Sequence, residues 1–238
     1  MRLKNLLIPT FKEFLDFLMP RTCAACGQRL AVGEHVLCGM CDFDLPRTNH
    51  YLKPYDNELA QLFWIQIPIE RAASLFYYKP QTQTSHIIHK LKYFDHPEVG
   101  VEMGRLAATE FMQNNFFDGI DCIVPVPLTK SRTRERGYNQ SEMIARGVSR
   151  ITGLPVVTDA VKRTAFKESQ TKKHRWERMD NVGNVFECKS PEHVKGLHVL
   201  VIDDVITTGA TIVGCSTALV KAGAKKISVM SLGYARPN

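Results

Sequence analysis

Short apolar runs alternate along this chain with segments of helical spacing. Residues 71–78, Ile120–Val126, Leu197–Ile202 and Ile227–Leu232 read as strands, and Val156–Val157 and Phe186 as shorter ones. Between them, Thr84–Tyr93, Val99–Phe117, Gln140–Ile151 and Ala210–Ala222 read as helices, with Val101, Leu106 and Phe111 as inward positions of the second. Strands alternating with helices predict an α/β fold: a Rossmann-like parallel sheet covered on both faces, with ligands beyond the carboxyl ends of its strands. At the amino terminus Phe11, Phe14, Leu15 and Leu18 keep helical spacing, which predicts a short amphipathic helix. Pro46 to Ile69 reads as a connector whose Leu59, Leu62, Phe63 and Trp64 form an apolar patch for covering the next domain. Neither an internal repeat nor a low-complexity tract interrupts this order.

The 238 residues are 44% hydrophobic and 23% charged, which excludes a disordered, collagenous or disulfide-scaffold protein. No apolar run reaches the roughly 18 residues of a membrane span. Pro9, Lys12, Glu13 and Asp16 break the opening stretch, which leaves no secretory signal pattern, so the expectation is a soluble, cytoplasmic chain without membrane insertion. The formal charge is +7, and it is concentrated: residues 129–178 hold 13 Lys or Arg against 5 Asp or Glu. Such a segment suits a polyanion (pyrophosphate, a nucleotide or nucleic acid), or else it is a solvated basic face.

Four of the seven cysteines are spaced Cys23-x2-Cys26-x11-Cys38-x2-Cys41. Each Cys-x-x-Cys turn can present two thiolates, and the intervening loop can bring the second pair opposite the first, which predicts a structural Zn²⁺ ribbon. Four sulfurs close the coordination sphere, so this metal would hold a fold and not catalyse. His35 reads as a surface residue, and Cys122, Cys188 and Cys215 as ordinary small apolar residues.

The most informative stretch is Val199–Thr211, VLVIDDVITTGAT. A buried strand ends in Asp203 and Asp204, and a small-residue turn of Thr207, Thr208, Gly209, Ala210 and Thr211 then opens a helix. Free N–H groups and the positive helix end suit a phosphate, and the paired acids suit ribose hydroxyls and waters on Mg²⁺. A capped turn without ligand fits the same pattern. The stretch resembles the phosphoribosyl pyrophosphate (PRPP) motif of type I phosphoribosyltransferases. By that resemblance Asp203 and Asp204 contact the ribose, residues 207–211 hold the 5′-phosphate, and Mg²⁺ accompanies PRPP. The resemblance also implies that the basic loop after the Ile120–Val126 strand, with Lys130, Arg132, Arg134 and Arg136, meets the pyrophosphate; Arg132 and Arg136 are then catalytic candidates. The segment containing Arg163, Gln170 and Arg175 falls where the family carries a lid, although an ordinary solvated loop has the same composition.

The four-cysteine ribbon, PVPL before Arg132 and Arg136-Gly-Tyr-Asn-Gln, Arg163-Thr, Gln170-Thr and VIDDVITTGAT together resemble the ComF/GntX family. His89-Lys90-Leu91-Lys92-Tyr93 also resembles a family segment. The organisation expected is a helix and zinc ribbon over 1–46, a connector or cap over 47–70, and a phosphoribosyltransferase-like domain over 71–238. The resemblance implies PRPP as ligand, phosphoribosyl transfer as the reaction, and a role in natural competence. Three functions remain open: a phosphoribosyltransferase, a factor that handles single-stranded DNA alongside competence proteins with PRPP as regulatory ligand, and a structural adaptor using the ribbon.

Overall fold

The computed structural model describes residues 21–93, 96–164 and 185–236. The amphipathic stretch with Phe11 and Phe14, and the lid candidates Gln170 and Arg175, lie outside these residues. In chain order the strands are β1 (Ile69–Tyr77), β2 (Cys122–Pro125), β3 (Val161–Arg163), β4 (Phe186–Cys188), β5 (His198–Ile206) and β6 (Lys226–Tyr234). The helices are α1 (Gly39–Phe43), α2 (Glu58–Gln61), α3 (Gln83–Tyr93), α4 (Pro97–Met112), α5 (Lys130–Arg136), α6 (Gln140–Thr152) and α7 (Ala210–Lys221).

Four strands form the expected parallel sheet, in the order β1-β6-β5-β2, while β3 and β4 make a separate antiparallel pair. The central strand β5 is apolar without alternation because both of its faces are covered. Leu200 and Ile202 point into the core beneath α3, α4 and α6, with Met103, Phe111, Ile144 and Met230. Val199 and Val201 point to the other face, where α7, the β3–β4 pair and the connector supply Leu219, Val161 and Phe63.

Several boundaries differ from the sequence reading. The α4 helix stops at Met112, because the following turn uses left-handed backbone at Asn115 (φ 55°) and Gly119 (φ 70°). Its inward face is Val99, Gly100, Met103, Gly104, Ala107, Ala108 and Phe111; Val101 and Leu106 are only half-buried. The basic "loop" after β2 is the helix α5, capped by the Thr129 hydroxyl at the Arg132 N–H and ended by left-handed Gly137. Val156 contributes a single parallel bridge to Ile123 in place of a strand. In the connector, Leu59 and Phe63 are fully buried as a cover should be, but Trp64 remains 55% exposed. No helix among the described residues is long and apolar enough to cross a membrane.

The small residues of α4 are explained by α6. A Cβ built on Gly147 would lie 2.1 Å from the Val101 carbonyl oxygen, and one on Gly104 would lie 2.3 Å from that of Ile144. Both obstacles are backbone, so the helices would have to separate. We therefore expect Gly147→Ala to lower unfolding free energy by about 1–3 kcal/mol despite alanine's better helix propensity. Urea denaturation would read this as a lower midpoint; an unchanged or higher midpoint would refute so close a helix contact.

Candidate phosphate and acid site

Strand β5 extends past the predicted Ile202 to Ile206, so the two acids stand inside its last turn-ward residues and not in the loop after it. The chain then turns through Thr207, Thr208 and Gly209 into α7. Gly209 has φ 76°, and a Cβ there would sit 2.7 Å from the Phe63 ring, so the connector presses directly on this turn. Only glycine satisfies both the left-handed backbone and the contact. The N–H groups of Thr207, Thr208, Gly209, Ala210 and Thr211 donate to nothing among the described residues, and no side chain caps α7. Thr207 and Thr208 are exposed. Open amides, hydroxyls and a helix amino end are suited to an anion of phosphate type.

The acids are held differently. Asp203 Oδ1 accepts from the Ser141 hydroxyl at 3.0 Å and from the Asp204 N–H at 2.9 Å. Asp204 Oδ1 accepts from the Val205 N–H at 2.7 Å, and its Oδ2 pairs with Lys92 Nζ at 3.1 Å. Burial, and after it the neighbouring Asp204 charge, lift the Asp203 carboxyl from 3.8 to about 7; the Asp204 N–H, Ser141 and Lys92 only partly offset them.

Ser141 and Lys92 are site residues that sequence reading did not select. Lys92 sits within the family-like segment 89–93, and Ser141 follows Asn139, whose side chain caps α6 at the Ser141 N–H. Either signal points to the segment, but neither shows that it reaches β5.

The predicted cations converge in part. Arg132 is exposed on α5. Arg136 is half-buried, with its guanidinium 5.3 Å from the centre of the Tyr93 ring and a buried Nε that has no partner among the described residues. Arg163 on β3 lies 5.2 Å from the Phe186 ring centre. Burial lowers the Arg163 pKa, followed by repulsion from Arg132, while Asp203 acts in the opposite sense.

At the amino-terminal end, the sulfurs of Cys23, Cys26, Cys38 and Cys41 all lie within 4.8 Å of one another. The Cys26–Cys38 separation is 3.8 Å. That is the edge of a tetrahedron about 2.3 Å from centre to corner, the Zn–S bond length. Burial raises the Cys23 thiol, but N–H groups of Cys26, Cys38 and Ala25 outweigh it and bring the pKa down to about 7. Cys41 is pushed up by burial and by the three other sulfurs, a conflict that a bound cation removes. The donor set thus fits a thiolate-seeking metal, and His35, exposed in the loop, is not in the cluster.

Residues 89–236, more than half of the chain, match the model of the phosphoribosyl transferase domain family. A protein of Escherichia coli strain K12 named DNA utilization protein YhgH is 29% identical over 229 residues, covering 90% of this chain and 97% of that protein. Competence protein F of Haemophilus influenzae is 34% identical over 116 residues, 48% of this chain and 51% of that one. Among solved structures, a glutamine PRPP amidotransferase from B. subtilis complexed with ADP and GMP aligns with TM-score 0.42 and 21% identity, over 60% of this chain and 30% of its own.

The raised Asp203 carboxyl has a consequence for stability. Its folded pKa exceeds the ordinary 3.8, so its contribution is complete below about pH 4 and is lost as pH rises through about 7. In urea denaturation across that range, Asp203→Asn should lose less stability than the wild type and be the more stable of the two at pH 8. Parallel pH profiles would show that Asp203 is not held protonated by its surroundings.

Proposed function

The chain belongs to the phosphoribosyl transferase domain family, in its ComF branch, and from that premise we propose that it binds PRPP with Mg²⁺. The reading rests above all on one observation: five unengaged N–H groups at residues 207–211 stand beside the Asp203–Asp204 pair. The 5′-phosphate takes those amides, with hydroxyls of Thr207, Thr208 and Thr211 available. Asp203 and Asp204 take the ribose hydroxyls and, when Mg²⁺ is bound, its waters. Arg132, Arg136 and Arg163 face the pyrophosphate in this reading; Gln170 and Arg175, the other lid candidates, lie outside the described residues. In the transfer itself, the ribose C1–O bond breaks and pyrophosphate leaves with the electron pair while an acceptor nucleophile bonds to C1. The arginines stabilise the charge that grows on the departing group.

The ribbon cysteines Cys23, Cys26, Cys38 and Cys41 hold Zn²⁺ as a structural ion in this reading, and the protein works in the cytoplasm, where thiols stay reduced. A role in natural competence and DNA use belongs to this reading; it is supported by relatives named DNA utilization protein and competence protein F. A second reading has its own support. Lys130, Arg132 and Arg134 are exposed on α5 and carry no acidic partner among the described residues. Such a face suits the backbone of single-stranded DNA, with PRPP then acting as a regulatory ligand.

Calorimetric titration of PRPP with Mg²⁺ should give saturable binding that Asp203→Asn/Asp204→Asn weakens by at least about tenfold, since two charged contacts are lost. Equal affinity in the double variant would dispose of the phosphoribosyl reading. Repeating the titration with single-stranded DNA present separates the two readings: competition places both anions on the α5 cations. For the ribbon, metal analysis should find about one zinc per chain. Removing it with a chelator should lower Tm, and a chain that keeps its Tm when stripped would contradict a structural ion.

A further inference from the structure

One helix serves both the cysteine ribbon and the acid pair. The middle turns of α3 (Gln83–Tyr93) meet the ribbon. There His86 Nδ1 lies 3.0 Å from the Ala25 carbonyl oxygen, and Lys90 Nζ donates to the Thr22 hydroxyl at 2.9 Å and to the Thr22 carbonyl at 3.2 Å. A carbonyl only accepts, so His86 Nδ1 carries the proton. Both contacts fall on the first Cys-x-x-Cys turn: Ala25 stands between Cys23 and Cys26, and Thr22 precedes Cys23. Beneath them Ala24, Ala25, Leu30 and Leu37 of the ribbon share one apolar cluster with Ile87, Ile88 and Leu91 of α3. The last turn of the helix then reaches the other site. Lys92 Nζ pairs with Asp204 Oδ2 at 3.1 Å, and the Lys92 side chain is 25% exposed, so the direction of the helix and not enclosure holds it there.

The ribbon has little apolar material with which to hold itself. Two alanines and two leucines are too small a core to keep so short a unit ordered without a cross-link. Zn²⁺ on the four sulfurs would tie the Cys23–Cys26 turn to Cys38 and Cys41, and its binding energy is then the ordering energy of the surface on which α3 rests. Release of that turn removes the Thr22 and Ala25 acceptors together with the apolar cover of Ile88 and Leu91. The end of α3 is where such a loss is felt, because the last carbonyls of a helix have no partners within it.

We propose that metal loading of the ribbon raises the affinity of the acid site for PRPP, and that Lys92 carries the effect. With the ribbon ordered, the ammonium is fixed beside Asp204 and offsets the repulsion between that carboxylate and an incoming polyanion. With the ribbon released, the offset is lost. The inference rests on the phosphoribosyl reading for its ligand.

The test uses the full chain in excess Mg²⁺, either loaded with zinc or stripped by a chelator that takes zinc in preference to magnesium. Calorimetry should find PRPP bound about fivefold or more weakly by the stripped chain, the lower end of ordinary coupling between sites. By linkage, PRPP must raise the ribbon's zinc affinity by the same factor, read from equilibrium competition with the chelator. Zinc-loaded Lys92→Gln should bind PRPP as weakly as the stripped wild type and should not respond to stripping, an outcome that a ribbon with a merely structural role would not produce. Because stripping can unfold the chain, a second variant leaves all four sulfurs in place: His86→Ala/Lys90→Met should keep its zinc and still lose PRPP affinity. Four results would each overturn the coupling: equal affinities in the loaded and stripped wild type, a zinc affinity indifferent to PRPP, a Lys92→Gln chain that responds to zinc as the wild type does, or undiminished binding by His86→Ala/Lys90→Met. A loaded wild-type chain that binds no PRPP overturns the phosphoribosyl reading itself, and the coupling with it.

Discussion

A buried strand that ends in two adjacent carboxylates creates a demand that the rest of the fold has to meet. The Asp203 and Asp204 side chains emerge from β5, whose preceding residues Val199–Ile202 are fully inaccessible. Unscreened like charges at the edge of such a core are unfavourable unless donors, cations or protons answer them. The structure uses all three. Ser141 and a backbone N–H serve Asp203, Lys92 serves Asp204, and the Asp203 carboxyl is lifted toward neutrality.

Helix α3 links this demand to the cysteine ribbon. Its Ile87 and Leu91 are buried in the core. One turn of the same helix places the His86 imidazole 3.0 Å from the Ala25 carbonyl, and Lys90 Nζ 2.9 Å from the Thr22 hydroxyl. Its final turn delivers Lys92 to Asp204 and Tyr93 to the Arg136 guanidinium. On the ribbon's far side Arg47 joins Asp42 of α1, at 2.7 Å, to Glu110 of α4, at 2.8 Å. The ribbon is therefore docked on the helices that carry the site's cation. The connector performs the equivalent service on the opposite face: Asn57 caps α2 and donates to the Ala72 carbonyl on β1, while Phe63 closes over Gly209. Its apolar residues were expected to cover the domain: Leu59 and Phe63 are fully buried and Leu62 packs half-buried against the same cluster, while Trp64 stays exposed.

Much was readable from local pattern. The continuous apolarity of residues 199–202, the acid pair, the threonine-rich turn and the two Cys-x-x-Cys knuckles are contiguous features, and contiguous features keep their meaning wherever the fold puts them. Their composition determined the parallel sheet, the sulfur tetrad and the phosphate-like turn. What the pattern left undetermined was whatever depends on a partner distant in the chain. Of the inward positions expected on α4, Phe111 is buried but Val101 and Leu106 are not, because glycine and alanine, which read as weak core residues, are the contact that lets α6 approach to backbone distance. The basic stretch after β2 read as a loop because charge obscures periodicity, whereas a threonine cap and a glycine stop make it helical.

The sequence by itself determined which chemical groups the protein possesses and on which kind of element each is carried. Only the tertiary structure decided which of them meet. Lys92 reaches Asp204 across 112 positions and Ser141 reaches Asp203 across 62. Glu58 gathers Tyr77, Arg236 and the His50 Nε2 around one carboxylate across the connector, β1 and the chain's last described residues. Hydrogen bonds and ion pairs act over a few ångströms and are indifferent to chain separation, so their partners follow from packing, which no local window contains.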